Sequence, residues 1–453
     1  MTAAVENWAK IDLDKYPEIV SAELPGPKSR ELHARASKIM KGYSGQVKLF
    51  PVCFEKGYGV TLTDVDGNTY IDFSSGIYVT GLGHCHPKIS EAVARYAKTL
   101  MNCHDFTTQI KMELLEKLVD VLPGDLSAVQ LYDSGTVAVE AGLRVCRAAT
   151  GNDEFVSCFM DFHGKTYGAV SLAKMDPSKG YRAPGFFLVP RPYCYQCEFK
   201  MTHPECGCFC VDFLEKSIDQ ISTGRVAAVV LEPIQGWAGS VIPPDDYFPK
   251  LKKVCEKRGI LLFADEVLTG MARTGTWLCM EHWDVLPDVV TLGKGFGNGF
   301  PVTAMVARKP YEDAIEKISA STSYGGNPMA CAAALASLQV IEEENVLENA
   351  TMLGEFFNDR MARMYDEHPI IGDVRGKGCL LGVELVKDRD TREPFDEAGK
   401  MVYQKAFAKG LAWIPAGHIL RMSPPMIMDA ETAAKGMDLI DEAIGETEKE
   451  LGY

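Results

Sequence analysis

Residues 259–301 read GILLFADEVLTGMARTGTWLCMEHWDVLPDVVTLGKGFGNGFP, and the rest of the chain is organised around them. An apolar run, Ile260 to Ala264, stops on Asp265-Glu266. A second, Val289 to Leu292, stops on Gly293-Lys294 and a glycine-rich turn. Short, partly β-branched runs bounded by turn residues are expected for fully buried strands of a parallel sheet. Such strands deliver functional groups at their carboxyl ends. A carboxylate and an amine would therefore reach one sheet edge, 29 positions apart, with room for a crossover between them.

A lysine just past a buried strand has two readings. It is a surface side chain, or it is an amine whose basicity burial lowers so that it can form a Schiff base with a carbonyl. Pyridoxal phosphate (PLP) needs the second kind, together with an acid that keeps the pyridine nitrogen protonated. Lys294 and Asp265 fit those roles. The segment resembles the signature of the class III aminotransferases, of PLP fold type I. The resemblance rests on Asp265-Glu266-Val267, Thr269-Gly270, Arg273-Thr274-Gly275, Pro287-Asp288, Thr291, Gly293-Lys294-Gly295, Asn298-Gly299 and Pro301. It implies an α/β fold: a large domain with a mostly parallel central sheet covered by helices, plus a smaller α+β domain from the N- and C-terminal segments. It also implies PLP as cofactor, an amino donor and a 2-oxo acid as substrates, and a homodimer or dimer of dimers with shared active sites.

Composition bounds the alternatives. At 453 residues the chain can make two or three domains. A net charge of −15 argues against nucleic acid and anionic membrane surfaces as partners. No apolar run approaches the roughly 18 residues that span a bilayer. The opening MTAAVENWAKIDLDKYPE has no signal-peptide core, so the fourteen cysteines are expected as reduced thiols of a cytoplasmic protein. The expected division is an arm with part of the small domain over 1–65, a large PLP-binding domain over 66–340, and a small domain over 341–453.

In chain order, a short helix is expected from Ser29 to Met40, then a hairpin of Val60–Thr63 and Thr69–Phe73 turning at Asp66-Gly67-Asn68. The loop from Gly76 to Pro87 carries His84 and His86. No carboxylate stands at useful spacing in sequence, so a pocket wall is expected rather than a metal. The resemblance puts this loop at the substrate site, with Ile77 and Tyr78 as contacts. Ser134-Gly135-Thr136 opens a helix and offers N–H groups, hydroxyls and a positive dipole end to an anion; the same residues are also simply good helix starts. The resemblance assigns the cofactor phosphate to them, although Val137 stands where the family usually has an acid.

After the strand Glu154–Phe159, the resemblance places Phe162 on the pyridine ring and His163 as a second wall. Lys165 occupies a position where relatives acting on γ- or δ-amino acids carry arginine. It either clamps a distal acid or lies on the surface. Residues 191–210 hold Cys194, Cys197, Cys206, Cys208 and Cys210. Their spacing is not a clean zinc knuckle, so no metal is expected and a surface excursion is preferred. The strand Ala227–Ile234 carries Glu232, which the resemblance places near the cofactor. Relatives continue with a second acid that masks the arginine binding the 2-oxo acid carboxylate; here Trp237 replaces the acid, and Arg421 is the matching arginine, expected to stay available. Val267 would pack on the ring face opposite Phe162, and Leu268 replaces a hydrogen-bonding glutamine. Thr322 and Ser323 match the segment that reaches the partner subunit's cofactor phosphate. A racemase, an epimerase or a dialkylglycine-type decarboxylase would use the same Lys294 and Asp265.

Overall fold

In the computed structural model, which describes residues 8–173, 182–412 and 414–453, the chain divides into two units. One is Lys88–Leu347; the other joins Met1–Pro87 to Glu348–Tyr453. The first seven residues of the stretch read for a leader lie outside the described residues.

The N-terminal part contributes β1 (Phe54–Tyr58), β2 (Thr61–Asp64) and β3 (Thr69–Asp72). The Lys88–Leu347 unit holds seven strands: β4 (Leu126–Tyr132), β5 (Glu154–Cys158), β6 (Phe186–Val189), β7 (Val226–Leu231), β8 (Leu261–Glu266), β9 (Val289–Leu292) and β10 (Thr303–Arg308). They form one sheet in the order β4-β10-β9-β8-β7-β5-β6. Neighbours from β9 to β6 run parallel, and β10 is antiparallel to both of its neighbours. The mostly parallel sheet expected from the apolar runs is therefore present.

Every residue of β7, β8 and β9 is buried, which is why these strands read as unbroken apolar runs rather than as alternation. The Gly135–Thr150 helix covers one face. It lies so close that a β-carbon on Gly142 would fall 2.4 Å from Phe263 Cζ on β8. Leu143, Val145, Phe155, Phe263, Val289 and Met305 share the core beneath it. The crossover from β8 to β9 contains a single 3₁₀ turn, Cys279–Trp283, instead of an α-helix.

In the other unit β3 pairs parallel with β13 (Leu411–Ala412), Ile71 opposite Leu411. A second sheet there joins β11 (Ile371–Lys377), β12 (Leu380–Leu385), β14 (Ile414–Ala416) and β15 (Ile419–Met422) in the order β11-β12-β15-β14. Residues 66–87 consequently group with the chain termini rather than with the large domain expected from residue 66. The Asp66-Gly67-Asn68 turn ties β3 to β2, and a boundary inside a hairpin would cut its ladder. No helix among the described residues is long and apolar enough to cross a membrane.

Candidate active site

The register of β8 and β9 sets Asp265 directly beside Thr291, three residues before Lys294. Thr291 Oγ1 donates to Asp265 Oδ1 at 2.8 Å, and the Val267 N–H donates to the same oxygen at 3.1 Å. Asp265 Oδ2 lies 2.8 Å from His163 Nδ1. The opposite ring nitrogen of His163 is 3.7 Å from Asp161, so the imidazole is held between two carboxylates. Burial alone works against an imidazolium, but Asp161 and Asp265 outweigh it and push the His163 pKa up to about 10. Burial likewise pushes the Asp265 carboxyl up. The His163 cation and hydrogen bond, with Thr291 and Lys294, outweigh that and hold it below the usual carboxylate value.

Lys294 follows Gly293 at the end of β9 and adopts a left-handed conformation, φ 44°, which non-glycine residues avoid unless the surroundings impose it. Burial lowers the basicity of its amine, the Arg273 charge adds to this, and Asp265 and Glu232 act in the opposite direction. Arg273 is almost wholly buried.

Three segments meet at Val267. A β-carbon on Gly135, at the start of the covering helix, would fall 3.1 Å from Val267 Cγ1. One on Gly293 would fall at the same distance. Ser134 makes no side-chain capping bond to that helix. The first N–H groups of an α-helix have no intrahelical acceptor, so an anion-seeking end points toward the Val267 side chain. Thr136 is partly committed elsewhere, since its hydroxyl is 2.6 Å from that of Thr166. Thr303 Oγ1, buried beside Gly293, has no hydrogen-bond partner among the described residues. An anionic carboxylate, an amine of lowered basicity, a helix N-terminus and a cradle of glycines fit the nitrogen, carbonyl, phosphate and flat ring of PLP.

The remaining residues frame this set. Glu232 accepts from the N–H of Phe162 at 2.8 Å and of Gly236 at 3.1 Å, tying two loops together. Burial, with Asp161 and Asp265 nearby, raises its pKa. The rings of Phe162 and Trp237 lie 5.8 Å apart, and Trp237 is 46% exposed. Leu268 packs under Gly236, where a β-carbon would be 2.3 Å from Leu268 Cδ1. Lys165 is exposed. Thr322 Oγ1 accepts from the Gly325 N–H, and Ser323 is exposed. His163, expected as a ring wall, stands as the hydrogen-bond partner of Asp265.

Ile77, Tyr78 and Arg421 belong to the other unit, and there they are linked. Ser75, Gly76, Ile77 and Tyr78 form a turn with φ between 47° and 69°. Each non-glycine residue in that region costs about 1–2 kcal/mol. Ser423, two residues after Arg421, accepts from Ser75 Oγ through its carbonyl at 2.6 Å and donates its own hydroxyl to the Ser74 carbonyl. Ile77 is exposed, and Tyr78 is buried. Arg421 is 1% exposed. His84 is explained by a carboxylate the linear spacing hid: Asp72 Oδ2 lies 2.7 Å from its Nε2. His86 packs edge-on to Trp8.

Sequence reading missed Thr291, Asp161 and Gln235, whose amide holds Asp161 Oδ1 at 2.7 Å. Pairing β8 with β9 in register would have found Thr291. Nothing local marks the other two.

A family model described as Aminotransferase class-III matches residues 43–444. A leucine/methionine racemase of Thermococcus litoralis is 35% identical over 432 residues, covering 93% of this chain and 97% of its own. A probable 4-aminobutyrate aminotransferase of Bacillus subtilis is 35% identical over 402 residues, covering 86% and 92%. Among solved structures, an amine transaminase from an uncultivated Pseudomonas species, in its PLP-bound form, superposes with a TM-score of 0.85 at 28% identity, covering 90% of this chain and 98% of that one.

Proposed function

The chain belongs to the class-III aminotransferase family, and from that premise we propose a PLP-dependent transaminase that moves the amino group of an ω-amino acid or aminosulfonate to a 2-oxo acid such as pyruvate or 2-oxoglutarate. The observation that carries this reading is the Asp265 carboxylate, kept anionic by His163 and Thr291 beside the strand that Gly293 and Lys294 follow. When bound, PLP would supply an electron sink that weakens the bonds at the substrate carbon bearing the amino group. Lys294 Nζ would take the proton from the donor carbon that bears the amino group and hand it on to the cofactor, and in the second half of the reaction would deliver a proton to the carbonyl carbon of the 2-oxo acid, as general base and then general acid. Asp265 holds the proton on the pyridine nitrogen by opposite charge. Ser134 and the N–H groups of Gly135 and Thr136 hold the phosphate, with Thr322 and Ser323 serving a partner subunit's. Phe162 and Val267 enclose the ring.

For the substrates, Arg421 is assigned the 2-oxo acid carboxylate, with Ile77 and Tyr78 lining the approach, and Lys165 the distal acid of the donor. Lys165→Ala should raise KM for acidic donors about fivefold, the worth of an exposed charge contact of roughly 1 kcal/mol. Unchanged KM for every acidic donor would remove Lys165 from the account.

A second reading is racemisation. It is favoured by Trp237, which puts an indole where relatives carry the acid that masks Arg421, and by the racemase name of the Thermococcus relative. Steady-state assays on single enantiomers separate the two. A transaminase forms a new amino acid only when a 2-oxo acid is supplied, whereas a racemase forms the opposite enantiomer without one.

A further inference from the structure

No thiol of the cysteine-rich excursion is among the site residues above, yet the five are gathered in one place. Cys194, Cys197, Cys206, Cys208 and Cys210 line a single small cavity with His203, and none of the chain's cysteines is in a disulfide. A distant residue organises that cavity. Asp246 Oδ1 lies 2.8 Å from His203 Nε2 and 3.0 Å from Cys208 Sγ. One ligand atom from each of the three residues lies within 4.8 Å of the other two. That spread suits tetrahedral coordination with bonds of about 2.0–2.3 Å.

The backbone around the trio is arranged for the cavity rather than for the helices it opens. Asp246 occupies the N-cap of the Tyr247–Arg258 helix, a position where aspartate ordinarily accepts a backbone N–H. Its side chain makes no capping bond and is turned to His203 and Cys208. Cys208 occupies the N-cap of the Phe209–Ile221 helix with φ 54°, which a β-carbon disfavours. Of the nearby cations, Lys250 is met by Asp212 and by the carbonyls of Gly207 and Cys208, and Arg191, which lines the cavity, lies over the Tyr193 ring and donates to Gln235 at 3.4 Å.

We propose that His203, Cys208 and Asp246 bind a zinc ion, with one thiolate from Cys194, Cys197, Cys206 or Cys210 completing the tetrahedron. The donor set selects the metal. Calcium and magnesium take oxygen ligands, iron–sulfur clusters take four thiolates, and a mixed sulfur, nitrogen and oxygen set suits zinc. Each thiol that ligates gives its proton to solvent as the S–Zn bond forms, with no change of oxidation state. A filled four-ligand shell would make this a structural site, fastening the excursion to the starts of two helices.

The test is metal analysis of the purified holoenzyme by mass spectrometry, followed by zinc affinity in competition with a chromophoric chelator. The expected result is about one zinc per chain, with affinity lowered more than ~100-fold in His203→Ala and in Asp246→Asn, since even outer-shell losses cost 10–100-fold. Cofactor absorption should be unchanged in both variants. Should Cys208→Ser not fold, these two partly exposed positions keep the test readable. The proposal is overturned by a chain that carries no zinc and takes up none when it is supplied, or by iron with acid-labile sulfide. It is also overturned if zinc is retained in the His203→Ala/Asp246→Asn double variant but lost in Cys194→Ser, which would move the site to the other thiols.

Discussion

Asp265 and Glu266 are consecutive on β8 and both are buried, yet their acidities move in opposite directions. Successive strand residues face opposite sides of a sheet, so the two carboxyls meet different company. Asp265 faces His163, which is positively charged, and the Thr291 hydroxyl. Glu266 accepts from the Thr269 hydroxyl and from the N–H groups of Cys279 and Met280 at 3.0 and 2.9 Å. Burial pushes the Glu266 pKa up to about 7 because neutral donors do not replace lost hydration, and Glu281 adds repulsion. Desolvation raises both acids; only the one given a cation is held below its ordinary value. One face of the strand is thereby fitted for charge chemistry and the other for holding the 3₁₀ turn at Cys279–Trp283.

The comparison can be broken by degrees. Lys294→Ala removes the proton carrier that the charged face serves, and kcat should fall by about 10⁴-fold, the upper range for general acid–base catalysis. Asp265→Asn makes the charged face as neutral as its neighbour while leaving the Thr291 hydroxyl an acceptor. We expect a loss of about 10²-fold in kcat, comparable to removal of one oriented electrostatic partner, with the fold intact by circular dichroism. A wild-type rate in Asp265→Asn would detach this carboxylate from the chemistry.

His163→Gln sharpens the contrast by taking away the cation alone. The Asp265 pKa should then rise, the acidic limb of kcat/KM should move to higher pH, and kcat should drop by roughly tenfold, about 1.4 kcal/mol. Stability should change with a definite sign. A histidine raised from 6.5 to about 10 stabilises fully below pH 6.5, and that stability is lost as pH rises through about 10. The depressed Asp265 stabilises above its unfolded pKa, and loses this as pH falls through the folded value. Urea unfolding followed from pH 7 to 10 should slope downward in the wild type and flatten in His163→Gln. Glu266→Gln is the smallest effect, within about 1 kcal/mol, because weaker acceptors are offset by the desolvation it avoids. An acid raised from 4.5 to about 7 makes the folded state less stable as pH rises across that window. Urea unfolding followed from pH 4.5 to 7 should lose that part of its slope in Glu266→Gln.

The two faces also mark what could be read beforehand. The runs ending at Asp265 and Lys294 announce buried parallel strands through their own residues, and the strands fall there. His163, Thr291 and Asp161 set the charge of the site, but each acts through a partner on another strand or loop, and no local pattern encodes those pairings. Asp72 and Asp246 were hidden from the histidines they meet for the same reason. Turn geometry was legible at Asp66-Gly67-Asn68, where glycine permits the turn. The left-handed run from Ser75 to Tyr78 was not, because tertiary bonds from Ser423 and Asp72 hold residues that would not adopt it alone.

The central claim is amino transfer from a donor to the bound cofactor, and a half-reaction tests it most directly. Holoenzyme is mixed with a panel of α- and ω-amino compounds in deuterated water with no acceptor, and cofactor and products are analysed by mass spectrometry and chiral chromatography. The account predicts one equivalent of pyridoxamine phosphate and one of an oxo product per active site, for an ω-amino donor. Cofactor left unchanged, with deuterium entering at Cα and the opposite enantiomer accumulating, would contradict it and make the enzyme a racemase.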